Sequence, residues 1–286
     1  MKKKWFILIM LMFVMVGCIG FIKGDSNVQF STWIWDAESL EKKGDQYIQF
    51  ANEHKVSKLF VQVNEDVSNE HYADFIDKAS KNNIEVYALG GSKSWVFDDK
   101  KVDKFLAWVE RFQQQYGKLA GVHVDIEPYL LDQWDTDQGA VVLAYFDTLS
   151  TIQAFAEKQE LTFEVDMPFW FNKVSYDNSY GKGNVSEWVI DIADNTTLMA
   201  YRNKAEGRNG IIRLVEDELV YAEAQRKQIT IAVETYPSKE GEHISFAGKS
   251  NEQLTKVLQQ VINQYDHNDA LSGIAVHHLE SWQQIK

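Results

Sequence analysis

Short apolar runs recur along the chain and are separated by longer stretches in which apolar residues return with helical spacing. The runs cover residues 30–35, 58–63, 84–89, 121–127, 161–167, 197–202, 229–234 and 273–278. Between them, Val102, Phe105 and Val109 fall on one helical face, and Ser250 with Gln253 has the spacing of a helix capping box. Eight strands that alternate with helices over about 250 residues predict a closed parallel (β/α)8 barrel.

Two features at strand ends refine this prediction. The chain has three prolines, and Pro128, Pro168 and Pro237 follow the fourth, fifth and seventh runs. A residue without an N–H group ends a strand ladder at little cost, so these prolines indicate the end of the barrel where (β/α)8 enzymes carry their catalytic residues. Few residues follow the eighth run, so the last helix is predicted to be short or absent.

The first 23 residues predict an export segment rather than part of the fold. Three lysines precede an apolar stretch that ends at Gly17 and Cys18. This arrangement resembles a bacterial lipoprotein signal, in which Cys18 would carry the lipid anchor. The alternative is an uncleaved signal anchor, because residues 5–22 approach the length of about 20 that crosses a bilayer. Either interpretation places a single barrel domain, residues 24–286, outside the cytoplasmic membrane. The domain is expected to be attached to that membrane or secreted.

Composition excludes some partners and modifications. The formal net charge is −13, and no cluster of lysine and arginine occurs beyond the leader. Nucleic acid is therefore not an expected partner. Cys18 is the single cysteine, so no internal disulfide bond is possible.

The fourth run, GVHVDIEPY at 121–129, places three ionisable residues at alternate positions. Side chains of a strand alternate between its two faces, so His123, Asp125 and Glu127 are predicted to face the barrel interior. Burial should raise the proton affinity of the carboxylates. Glu127, at the rim, is the candidate general acid.

Neighbouring strands add polar and aromatic candidates at the same mouth. Asp166 lies on the fifth run, Tyr201 on the sixth, and Glu234 ends the seventh. Aromatic faces beside carboxylates suit sugar rings, which stack through their C–H faces. Tryptophans predicted near the mouth are Trp33, Trp35, Trp95, Trp134 and Trp170.

These segments resemble the family 18 glycoside hydrolases, the chitinase-like barrels. AGVHVDIE at 120–127 is similar to their strand-four signature, Asp-x-Asp-x-Glu. The resemblance implies that Glu127 is the catalytic acid and that Asp125 orients a substrate N-acetyl group, which serves as the nucleophile. His123 stands in place of the innermost aspartate.

Two further segments resemble the same family. MAYR at 199–202 is similar to Met-x-Tyr-Asp on strand six, which implies that Tyr201 bonds the acetamido group, with Arg202 in place of the aspartate. GIAVHHLE at 273–280 is similar to strand eight, with His277 where a tryptophan floors the sugar site. Both departures weaken the expectation of a pocket that bends an N-acetylglucosamine ring. We expect Arg202 and His277 to contact substrate instead.

Three alternatives remain open at this point. Glu127 and Glu234 could be the acid/base and nucleophile of a clan A retaining glycosidase, with carboxyl groups about 5–5.5 Å apart, although Ile126 stands where that clan has asparagine. His123 and Asp125, with Glu127 and His277, could hold a metal, but the usual motif spacings are missing. A barrel that binds polysaccharide without cleaving it is the third.

The sequence therefore predicts an extracytoplasmic glycoside hydrolase that acts on a cell-surface or extracellular polysaccharide. No cofactor and no metal are expected. The predicted catalytic residues are Glu127, Asp125, Tyr201 and Glu234. The predicted substrate-binding residues are Trp33, Trp35, His123, Trp134, Asp166, Trp170, Arg202 and His277.

Overall fold

A computed structural model of the chain describes residues 28–286. The predicted export segment, the lipid anchor at Cys18 and the alternative signal anchor lie outside the described residues. Those expectations therefore stay predictions.

Eight parallel strands close into a barrel, which confirms the predicted fold class. Around the barrel the order is β1, β2, β3, β4, β5, β8, β9, β10 and back to β1. The sixth, seventh and eighth barrel strands are thus β8, β9 and β10. The barrel strands are β1 Gln29–Ile34, β2 Val56–Gln62, β3 Glu85–Gly90, β4 Gly121–Val124, β5 Thr162–Pro168, β8 Asn195–Met199, β9 Gln228–Glu234 and β10 Leu271–His277.

Helices follow the strands and pack around the barrel. They are α1 Leu40–Glu53, α2 Asn69–Ser80, α3 Asp99–Tyr116, α4 Gln133–Thr136, α5 Gln138–Lys158, α6 Val185–Ile192, α7 Ile211–Gln225, α8 Asn251–Gln264 and α9 Leu279–Trp282. The capping box predicted from Ser250 and Gln253 begins α8. The last helix, α9, has four residues, so the expectation of a short final helix is confirmed.

Among the described residues, one helix, α5, has the length and apolar content to cross a membrane. In the fold it is a barrel helix instead, because it buries Val142, Phe146 and Leu149 completely or nearly so. Its apolar character therefore follows from packing against the barrel.

An antiparallel hairpin between β5 and α6 was not predicted. Its strands are β6 Ser175–Asn178 and β7 Gly181–Asn184, and Gly181 has the positive φ of +110° at the turn. The hairpin sequences are polar and glycine-containing, so they lack the apolar alternation from which a strand is predicted.

The barrel has two hydrophobic regions. The large one lies between the helices and the outward faces of the strands. The second is a small cluster inside the barrel, made by Trp33, Phe60, Tyr87, Leu89, Ala232 and Ala275. The rest of the interior contains charged side chains, among them Lys58, His123, Glu164 and Asp166.

Candidate active site

The end of β4 places two carboxylates at the mouth of the barrel. Val122, Val124 and Ile126 are buried on the helix side, so the predicted alternation is observed. Regular pairing ends at Val124, but the Asp125 N–H still donates to the Gly90 carbonyl at 2.9 Å. Beyond Glu127 the chain turns into a short 3-10 helix, residues 128–130, which opens on a proline.

The position of Asp125 depends on a glycine that the sequence reasoning missed. Gly91 has a φ of +139°, and a Cβ atom there would lie 2.1 Å from the Asp125 carbonyl oxygen. No other residue type fits this backbone conformation and this approach without a shift. The consecutive glycines 90 and 91 at the end of β3 were the available signal.

Tyr129 holds Glu127 in place and was also missed. Its hydroxyl donates to Glu127 Oε1, and its ring packs edge-on against Trp170 at 5.1 Å. Burial, together with the Glu127 charge, raises the pKa of Tyr129 far above its ordinary value. The phenol therefore stays a hydrogen-bond donor at any physiological pH.

Asp125 lies one step deeper than Glu127. The residue is only partly exposed, and its Oδ1 is buried without a hydrogen-bond partner. Burial and the nearby Asp166 and Glu127 charges raise the pKa of Asp125 well above its usual range, against the opposing effect of His123. Asp125 thus keeps a proton to higher pH than an ordinary aspartate.

His123 lies below Asp125 and between two buried carboxylates. Its Nε2 is 2.9 Å from Asp166 Oδ1, and its Nδ1 is 3.5 Å from Glu164 Oε2. The ring N–H bonds are poorly aligned with these oxygens, so the contacts are mainly charge attraction. Burial alone lowers the pKa of His123, but the carboxylates outweigh it and raise the pKa to about 9. Phe60 stacks on the ring, with centroids 3.7 Å apart.

Three residues that were expected to bind substrate are buried inside the barrel. Trp33 and His123 have no exposed surface, and Asp166 is 2% exposed. The Trp33 indole N–H donates to Asp166 Oδ2 at 3.1 Å. These side chains therefore support the site from below and do not offer a surface to a ligand. Trp95 lies in the segment after β3, as expected, where it packs against Phe105 and lines the cleft at this end of the barrel, but it is 8% exposed.

Lys58 extends this buried network and was missed because it begins a predicted strand. Its ammonium group is 2.5 Å from Glu164 Oε1. Burial would raise the pKa of Glu164, but His123 and Lys58 together lower it. Two cations and two anions thus alternate through the barrel centre, which offsets the cost of burying each charge.

On the opposite side of the mouth, Trp35, His277 and Glu234 form a hydrogen-bonded series. The Trp35 indole N–H donates to His277 Nε2 at 2.9 Å. Since Nε2 accepts, the Nδ1–H group donates to Glu234 Oε2, also at 2.9 Å. The other oxygen, Glu234 Oε1, accepts the Tyr236 N–H at 2.6 Å. Both oxygens of Glu234 are therefore engaged, which suits a positioning role better than that of a nucleophile.

Tyr201 lies partly exposed beside His277, with ring centroids 5.9 Å apart. Burial and the charges of Glu234, Asp166 and Asp125 raise the pKa of Tyr201 well above its usual value, so its hydroxyl remains protonated. Arg202 turns toward the rim, where its guanidinium lies over the Phe169 ring at 5.3 Å. Its Nη1 donates to the Tyr201 carbonyl at 2.7 Å.

Trp134 and Trp170 form part of an aromatic wall on the β4 and β5 side. Trp134 lies parallel to Phe171 at 6.0 Å and edge-on to Trp170 at 6.2 Å. Both tryptophans are partly exposed. Through Tyr129 this wall adjoins Glu127, as a sugar-binding wall would.

Two cavities lie at opposite ends of the barrel. One of about 930 Å³ opens at the amino ends of the strands, beside Gln29, Lys58 and Ser272. A cleft of about 470 Å³ lies at the carboxyl ends of β1, β2 and β3, where Trp35 and Gly91 line it, and its lining does not include Asp125 or Glu127. We assign the site to the mouth, because Asp125 and Glu127 are there and barrel enzymes carry their chemistry at the carboxyl ends of the strands.

Within residues 28–286, no group of three or more histidine, cysteine, aspartate or glutamate side chains has the geometry of a metal site. Both ring nitrogens of His123 face carboxylates. The alternative of a metal centre thus finds no support in the described part of the chain.

Comparisons with known proteins identify the fold. No family model and no curated protein matches the sequence. Among solved structures, the spore cortex-lytic enzyme SleL of Bacillus megaterium superposes with a TM-score of 0.53 at 14% identity, covering 90% of this chain and 73% of that one. A family 18 chitinase of Cycas revoluta, a mutant in complex with (GlcNAc)4, gives 0.59 at 11% identity, covering 89% and 96%.

A β-mannanase of the blue mussel Mytilus edulis is also similar, with a TM-score of 0.53 at 11% identity and coverage of 88% and 87%. The protein therefore has the (β/α)8 fold that these three structures share. That family 18 chitinases are among the similar structures agrees with the resemblance drawn from strand four. Identities this low show the fold alone.

Proposed function

We propose that this protein is a glycoside hydrolase that cleaves a cell-surface or extracellular polysaccharide, with Glu127 as the general acid. One observation carries the proposal. A rim carboxylate held by Tyr129 lies directly above a second, partly buried carboxyl, Asp125, whose pKa burial raises. In such a pair the rim carboxyl can donate a proton to the glycosidic oxygen, and the deeper carboxyl can bond a polar group of the substrate. The chitinase neighbours, one in complex with (GlcNAc)4, support a carbohydrate ligand.

The chemistry follows the substrate-assisted route. Glu127 gives its proton to the glycosidic oxygen as the bond from that oxygen to the anomeric carbon breaks. The acetamido oxygen of the substrate forms a bond to the same carbon, while Asp125 bonds the acetamido N–H and the Tyr201 hydroxyl donates to the acetamido oxygen. Water then attacks the anomeric carbon, the bond from that carbon to the acetamido oxygen breaks, and Glu127 takes up a proton from the attacking water.

The second candidate is a barrel that binds polysaccharide without cleaving it. The orientation of Arg202 favours it, because the chain has a cation against Phe169 where family 18 enzymes have an aspartate near the reacting sugar. The clan A alternative is less favoured, since both oxygens of Glu234 are already hydrogen-bonded.

We further propose that the domain acts outside the cytoplasmic membrane and is attached to it through Cys18 or an uncleaved signal anchor. The support is the cationic and apolar leader that ends at Cys18.

A paired binding and cleavage screen tests the main proposal. Wild type and Glu127→Gln are incubated with chitin oligomers, peptidoglycan and bacterial exopolysaccharides. We expect wild type to cleave at least one of these glycans. We expect Glu127→Gln to bind the same glycan without cleaving it. Full cleavage by the variant would remove Glu127 from its role, and binding by wild type without turnover would establish the binding barrel instead.

A further inference from the structure

A row of aromatic rings runs along the mouth on the side formed by the ends of β1, β10 and β9. Trp35 adjoins His277 with ring centroids 6.1 Å apart, and His277 adjoins His278 at 5.2 Å. His278 in turn stacks with Tyr236 at 5.8 Å, with 30° between the ring planes. The first two contacts are edge-to-face, with 65° and 82° between the ring planes, so only His278 and Tyr236 pair face to face. Exposed aromatic faces are surfaces on which sugar rings stack.

The outer end of this row is exposed. Tyr236 is 58% exposed, whereas large aromatic side chains are more often buried. The loop that follows it, residues 237–242, has the sequence PSKEGE and is polar. The exposed ring is therefore isolated and not part of a broad apolar patch such as a protein partner would bury.

The His278 ring is also held in place from behind. Its Nδ1 lies 2.7 Å from Glu280 Oε2. The backbone N–H of Tyr236 donates to Glu234, which fixes the backbone at this point but not the Tyr236 ring. Glu280 accepts a further hydrogen bond from the Tyr47 hydroxyl at 3.2 Å. A ring fixed before binding loses little conformational entropy when a ligand stacks on it.

We propose that Tyr236 and His278 form an outer platform that stacks a sugar unit beyond the one that contacts Glu127. This inference rests on the proposed function and specifies the ligand, which is a glycan chain of several units lying along the aromatic row. The chain extends from the centre of the mouth over His277 toward Tyr236. A glycan that ends at the reacting sugar would leave the outer rings unused.

Binding of glycans of increasing length tests the platform. The background is Glu127→Gln, so that ligand is not consumed, and the probes are short and long chitin oligosaccharides and glycan strands of peptidoglycan. Dissociation constants are measured by calorimetry. In this background, affinity should increase with chain length as the outer platform becomes occupied.

Three variants separate the ring from other effects. Tyr236→Ala should weaken binding of the long glycans by about fivefold to tenfold, the size expected for one stacked ring. Tyr236→Phe keeps the ring and should restore the affinity. Val220→Ala, at an equally exposed apolar residue on α7, is the matched control and should change nothing.

The outcomes separate the two proposals. If long glycans bind better than short ones and Tyr236→Ala has no effect, the platform is wrong while the proposed function stands. If Val220→Ala weakens binding of the long glycans as much as Tyr236→Ala does, the platform is also wrong and the proposed function stands. If the Glu127→Gln protein binds none of the glycans at any length, both proposals are overturned.

Discussion

Replacing His123 with glutamine removes a buried positive charge and keeps a polar side chain of similar reach. Asp166 would then retain the Trp33 indole as its donor, and Glu164 would retain Lys58. Removing one partner of a buried ion pair costs about 3–5 kcal/mol, because the remaining charge is no longer compensated. We expect the free energy of unfolding at neutral pH to fall by this amount.

The pH dependence gives a sharper test. The pKa of His123 is raised to about 9 in the folded protein from its ordinary value of 6.5. Between these values the folded chain binds a proton that the unfolded chain has lost, so stability falls as pH rises, by at most about 1.4 kcal/mol per unit. The contribution is fully present below about pH 6.5 and lost above about pH 9, which amounts to about 3 kcal/mol.

Urea unfolding of wild type and His123→Gln between about pH 7.5 and about pH 9.5 measures this difference. The free energy of wild type should decline across the range, and that of the variant should decline less. Asp125 also has a raised pKa and acts in the same direction, so Asp125→Asn is the control that separates the two residues. Parallel declines in wild type and His123→Gln would show that His123 is neutral in the folded protein, and the charge network would be wrong.

Four further results are expected. Gly91→Ala should lower the free energy of unfolding by about 1–3 kcal/mol and glycan cleavage by about tenfold or more, because the new Cβ meets backbone at 2.1 Å. Gly139→Ala, whose Cβ meets open space on helix α5, should lower neither. Burial raises the pKa of Glu218 to about 7, so denaturation should show Glu218→Gln gaining stability over wild type by about 3 kcal/mol as pH rises from about 4.5 to about 7. Glu234→Gln should reduce hydrolysis by about tenfold and leave measurable turnover, whereas complete loss would favour the nucleophile of a clan A enzyme. Mass spectrometry of the membrane-bound protein should find a chain that begins at a lipid-modified Cys18, and a chain that keeps residues 1–17 would indicate an uncleaved anchor.

The fold was predictable because each barrel strand repeats one pattern. The run at 121–127 shows this most clearly, since its alternation requires His123, Asp125 and Glu127 to share the inner face. That periodicity is local and survives in a single sequence. The hairpin formed by residues 175–184 has no such periodicity, and it was missed.

The site was predictable only in part, because depth along a strand is a tertiary property. Trp33 and Glu127 both face inward, yet one is sealed inside the barrel and the other is at the rim. Sequence alternation gives the face and not the depth. Gly91, Tyr129 and Lys58 were missed for a related reason, since each acts on a residue that is distant in sequence or lies across a turn.

His123, at the innermost position of the strand-four signature, affects the pKa of Asp125. An aspartate there would place a third carboxylate beside Asp125 and Asp166, and such groups must share protons. His123 instead places its Nε2 2.9 Å from Asp166 Oδ1, so that the innermost position contributes a cation and not a third carboxylate. Burial, followed by the charges of Asp166 and Glu127, raises the pKa of Asp125, and the charge of His123 opposes them. Any change that removes His123 should therefore raise the pKa of Asp125 further, as well as lower the stability of the barrel.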